Sequence, residues 1–122
     1  SKALSLNQKR LDNFKKLSKK INLNVNNEIY FWGCNSIFVN IYFYLNKAMK
    51  NKLNLVDENY KKIKYLTIDH KNKIFLKNPN KIKFLNAKDV KFVVCAISWK
   101  NTISKKILSN GVLKKNIIIP KI

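Results

Sequence analysis

The chain has 122 residues, a hydrophobic fraction of 46% and only two Gly and two Pro, which fits one folded domain and excludes a disordered basic tail. Its 26 Lys+Arg against 6 Asp+Glu give a net charge of +20, yet no apolar run nears the roughly 18 residues that span a bilayer. Ser1 to Lys20 also lacks the apolar core of a signal peptide, so a cytoplasmic protein is expected, and Ser1 in place of Met points to a piece of a longer one.

In chain order, Leu4, Leu11, Phe14, Leu17 and Ile21 recur at three-to-four spacing and predict an amphipathic helix over Ser5 to Lys20. Residues 1–24 are read as a helical appendage or linker and 25–122 as the domain proper. The Asn-rich NLNVNN segment breaks the chain before Glu28 to Trp32 (EIYFW), a first buried strand halted by Gly33. Asn35 or Ser36 can cap the next helix, Ile37 to Met49, which is apolar on most of its circumference and should be largely buried. Its simplest cover is the N-terminal helix; the other is a docked partner or a second copy of the chain.

Leu53 to Val56 reads as a second strand ending at Asp57-Glu58. Tyr65 to Asp69 and Lys73 to Lys77 flank a polar turn at His70 and predict a hairpin, and Lys81 to Leu85 a small strand or turn. Val90 to Ser98 is the clearest strand, a nearly continuous apolar run of the kind buried on both faces. Asn101 or Thr102 can cap a helix to about Ser109 with Ile103, Ile107 and Leu108 inward, and Asn110-Gly111 stops it. Asn116 to Ile119 is a last strand before Pro120. The alternation predicts an α/β fold: a small Rossmann-like three-layer domain with a mostly parallel sheet of about four or five strands.

The charge has two readings. Nucleic acid is the first partner that +20 brings to mind, but 25 of the 26 cations are Lys and only Arg10 is Arg. Arg is the residue whose planar fork reads bases and phosphates. Lys, Asn and Ile (25, 19 and 15 residues) share A/T-rich codons and make up nearly half the chain. Composition therefore accounts for the excess, and nucleic acid is not the expected partner; a basic nucleic-acid-binding module stays as the alternative reading, and a structural docking or dimerisation domain as another.

Three strand ends carry the candidate chemistry, because parallel sheets bind ligands outside the carboxyl ends of their strands. At Gly33-Cys34-Asn35-Ser36 the loop amides and helix start can cradle a phosphate, although a G-x-G-x-x-G register puts Asn35 and Phe38 at the second and third glycine positions. A plain strand-to-helix turn is the competing reading. Asp57 stands 24 positions after Gly33, near the offset at which a carboxylate accepts hydrogen bonds from a ribose; a solvated turn carboxylate is equally open. Ser98-Trp99-Lys100-Asn101 offers an aromatic face for a base or sugar, or a packing Trp. His70 beside Asp69 reads as an exposed turn residue. Cys34 and Cys95 lack the C-x-x-C spacing of zinc sites and read as reduced, buried thiols, a helix-activated thiolate being the alternative for Cys34.

With IYFWGCNS, LNLVDEN, DVKFVVCAISWKNTISKKIL and the NG-x4-NIIIP ending in place, the chain from about Asn27 to Ile122 resembles small Rossmann-like domains of surface-glycan and capsule biosynthesis enzymes. It is similar to the C-terminal domain of sugar C-methyltransferases and the N-terminal domain of bacterial sugar acyltransferases. The resemblance implies a nucleotide or nucleotide-sugar site at Gly33, Cys34, Asn35, Ser36, Asp57, Ser98, Trp99 and Asn101. It also implies an accessory role beside the other domains of a parent transferase, which would carry the methyl- or acyl-transfer groups; no catalytic residue and no metal are expected in this chain.

Overall fold

The structure, a computed structural model, describes residues 2–24, 26–68, 72–82 and 89–121, with side chains from Asn7 onward. His70, Asp69 and most of the predicted element at Lys81 to Leu85 lie outside the described residues. The elements are α1 (Lys2–Asn22), β1 (Glu28–Trp32), α2 (Ser36–Phe43), α3 (Lys47–Lys50), β2 (Asn54–Val56), α4 (Tyr60–Ile63), β3 (Tyr65–Thr67), β4 (Lys73–Lys77), β5 (Val90–Val94), α5 (Lys100–Ser109) and β6 (Ile117–Ile118). Short 3-10 turns occupy Pro79–Lys81, Ile97–Trp99 and Lys114–Asn116.

The predicted α/β class holds, with a six-stranded sheet in the order β3-β4-β2-β1-β5-β6. All pairings are parallel except β3 with β4. β1 is central, with Trp32 in register with Val56 on one side and Val94 on the other. Period-two alternation along β1 splits the core into two layers. Ile29 and Phe31 join Phe14, Ile21, Phe38, Ile41, Tyr42 and Met49 under α1 to α3. Tyr30 and Trp32 join Phe92, Val94, Ile103 and Ile107 under α5. Phe31, Phe38 and Phe92 are wholly buried, each contributing about 1.5–3 kcal/mol of burial.

The N-terminal helix covers the aromatic helix, as the simpler expectation had it. Ser18, fully buried, donates its hydroxyl to the Ile41 carbonyl at 3.0 Å. The single helix predicted over Ile37 to Met49 is instead two. Asn22 donates its amide to Tyr44 O (3.2 Å) and accepts Asn46 N–H (2.9 Å), while the Asn46 side chain caps Met49 N–H (2.8 Å). Asparagine side chains thus satisfy backbone groups that a continuous helix would have paired internally.

The strand predicted over Val90 to Ser98 ends at Val94. The carbonyl of Trp32 accepts both Cys95 N–H (2.8 Å) and Ala96 N–H (3.0 Å), which turns the chain out of the sheet. Leu108, predicted inward, is 40% exposed, leaving Ile103 and Ile107 as the buried face of α5. Neither Asn101 nor Thr102 caps that helix; it starts at Lys100, with Trp99 at the cap position and no side-chain hydrogen bond there. The predicted hairpin is present as β3 and β4, while β4 also pairs in parallel with β2.

Candidate switch-point site

Counted without the antiparallel edge strand, the parallel strands run third, second, first, fourth, fifth. From β1 the chain moves to β2 through α2 and α3 on one layer, whereas β5 moves to β6 through α5 on the other. The direction of winding reverses between β1 and β5, where open α/β sheets have their crevice. The residues picked from sequence fall at these carboxyl ends: Gly33 to Ser36 after β1, Asp57 after β2, and Ser98 to Asn101 after β5.

Gly33 has φ +122 and donates its N–H to Val56 O at 2.8 Å. A Cβ there would meet Ala96 N at 2.6 Å, so a side chain is excluded by both conformation and space. Asn35 then does two jobs. Its Oδ1 accepts Ile37 N–H (3.1 Å) and Phe38 N–H (3.2 Å), capping α2, and its Nδ2 donates to Cys95 O at 3.0 Å. Ser36 opens α2, exposed, with its carbonyl accepting Asn40 Nδ2 at 2.9 Å.

Asp57 is half-buried and folds back onto the chain: Oδ2 accepts Cys34 N–H at 2.7 Å and Oδ1 accepts Asn59 N–H at 2.8 Å. The carboxylate and Asn35 between them tie three strand ends together. Phe38, at the third glycine position, meets Phe31 edge-on, centroids 5.3 Å apart at 70°. The helix therefore approaches the sheet through interlocked rings rather than through a missing side chain.

The thiols are quiet. Burial, reinforced by the Asp57 carboxylate, pushes Cys34 up, the direction of a quiet buried thiol and opposite to that of a helix-activated thiolate; burial alone pushes Cys95 well up. Both are free. Among the described residues no group of His, Cys, Asp and Glu can hold a metal ion.

What stays open at this edge is the start of α5. Trp99 is 67% exposed, and Ser98, Lys100 and Asn101 are exposed beside it. The first-turn amides of α2 are occupied by Asn35, whereas no side chain caps those of α5. Lys100, adjacent to Trp99, belongs to the segment singled out from sequence but not to the implied ligand set, because one lysine among 25 carries no signal of its own.

Comparison of the chain with family models, with curated proteins and with solved structures gives no match. Among the described residues no helix is long and apolar enough to cross a membrane.

Proposed function

We propose that this chain is an accessory, non-catalytic nucleotide-sugar-binding domain of a larger surface-glycan biosynthesis enzyme, a methyltransferase or sugar transferase. The observation that carries the reading is the reversal of winding between β1 and β5, with an exposed Trp99 and an uncapped helix start on its rim. A sugar nucleotide needs a donor set for its diphosphate and an apolar face for its base or sugar. The exposed start of α5 supplies the first through the ammonium of Lys100 and the positive end of the helix dipole, with no side chain capping it. The indole of Trp99 supplies the second.

The role of α2 differs from the sequence expectation in this reading. Asn35 already fills its amides, so the loop from Gly33 to Ser36 acts as a wall of the crevice rather than as the phosphate cradle. Asp57 is likewise engaged by two backbone amides, which leaves its remaining lone pairs for a ribose hydroxyl. Titrating the protein with UDP-, GDP- and dTDP-sugars, while following Trp99 fluorescence against a Trp99→Phe control and the amide shifts of residues 33–36 and 97–102, tests the proposal. Saturable shifts confined to those loops are expected; no response at millimolar ligand would sink it.

A further inference from the structure

At the opposite end of the sheet, where β4 begins, a groove of about 720 Å³ opens between α3 and β4. Its volume lies within the roughly 300–1,000 Å³ of ordinary ligand sites. Lys47 and Lys50 line it from α3 and Lys73 from β4, and no Asp or Glu lines it among the described residues. Three cations around one concave space repel one another, and an anion relieves that repulsion while releasing its counterions. Two of the three ammonium groups are held in place by rings, Lys50 over Tyr42 at 4.7 Å and Lys73 over Tyr65 at 4.6 Å.

The same groove has an aromatic rim. Phe75 lines it while 65% exposed, and Tyr65, 40% exposed, meets Phe75 across the β3–β4 pair with centroids 5.7 Å apart. Large rings left in water beside clustered lysines are the two ingredients of a single-strand platform, phosphates on the cations and bases on the π-faces. A double helix offers no base face to stack on Phe75. Lysine suffices for this task, because stacking and phosphate contact need no guanidinium fork.

We propose that this groove binds a short segment of single-stranded nucleic acid, with Lys47, Lys50 and Lys73 on its phosphates and a base stacked on Phe75. The sequence does not display the site, because its parts come from three separated segments that only the fold brings together. The surface is separate from the β1/β5 crevice, which lies at the carboxyl ends of the strands, so the two proposals stand or fall independently.

The test is anisotropy with a labelled oligothymidylate of about eight nucleotides, titrated across salt from about 50 to 200 mM. The triple variant Lys47→Gln/Lys50→Gln/Lys73→Gln should flatten the dependence of log K on log salt by about 2, three contacts at about 0.7 each. The equally discharged control Lys105→Gln/Lys114→Gln/Lys115→Gln, exposed on α5 and the following turn, should leave the slope nearly unchanged. Phe75→Ala should weaken binding about fivefold to a hundredfold at fixed salt, and Phe75→Trp should retain it. Since Phe75 is mostly exposed, these variants should melt like the parent. Equal losses in the two triples, indifference to Phe75→Ala, competition by a mononucleotide as effective as by the strand, or binding only to phosphatidylserine vesicles would each overturn the proposal.

Discussion

The carboxylate of Asp57 accepts the backbone N–H of Cys34 at 2.7 Å across 23 positions of sequence. A charge-assisted bond of this kind fixes the loop after β1 to the end of β2 and sets the electrostatic surroundings of the Cys34 thiol in the same stroke.

Replacing Asp57 should therefore act twice. Asp57→Ala leaves the amides of Cys34 and Asn59 without their acceptor and should cost about 1–3 kcal/mol by urea denaturation. Asp57→Asn removes the negative charge beside the thiol, so the pH midpoint for alkylation of Cys34 should move down toward the ordinary thiol value. An unchanged midpoint would show that burial alone governs the thiol.

Stability should fall as pH rises above the ordinary thiol range. Cys34 and Cys95 are both raised in the folded state, so their contribution is complete below the unfolded value of about 8.5 and is lost as pH climbs toward the folded values. Urea midpoints from pH 7 to 10 should decline, and less steeply in Cys95→Ala, whose thiol is the more deeply buried. A slope indifferent to that substitution would refute the assignment.

Gly33→Ala should destabilise by at least about 2 kcal/mol, combining a positive φ with the collision against Ala96 N. Ala96→Gly cannot rescue it, since the collision is with backbone. A variant melting within a degree of the parent would show that this turn relaxes freely.

Asn35→Gly separates architecture from ligand binding. Loss of the α2 cap and of the bond to Cys95 O should cost about 1–2 kcal/mol, while the freed amides should tighten any sugar nucleotide in the crevice. Calorimetry showing weaker stability with stronger binding is the expected pattern; both falling together would mean that Asn35 positions the site rather than plugs it.

Ile21→Ala probes whether α1 shares the main core. The residue is fully buried in the layer under α1 to α3, and truncation should cost about 2–5 kcal/mol in a single cooperative transition. A separate early transition for α1 would argue for an autonomous appendage.

Wherever a side-chain period repeats, the fold was legible in the chain. The β1 boundaries, the apolar run of β5 and the stripe Phe14, Leu17 and Ile21 all follow from alternation or helical spacing. The break between α2 and α3 was not, because it depends on Asn22 reaching Asn46 from another helix. The short strands β3 and β6 were legible as apolar runs, though each is shorter than its run, while the single helical turn of α4 carries no period long enough to read. At the candidate site, the glycine and the capping role of Asn35 were readable locally. The tie from Asn35 to Cys95 O and the folding back of Asp57 were not, since each joins strands that only the assembled sheet brings together.

The flanks of the sheet have a bearing on solubility. β6 spans two residues and is followed closely by the buried Pro120, and β3 spans three with the cation of Lys73 resting on its Tyr65 ring. Few backbone donors and acceptors are left for another chain to pair with, and a protein carrying +20 repels its own copies. A domain whose central strands are among the most apolar stretches of its sequence is thus guarded at both margins against the edge-to-edge stacking that such strands otherwise invite.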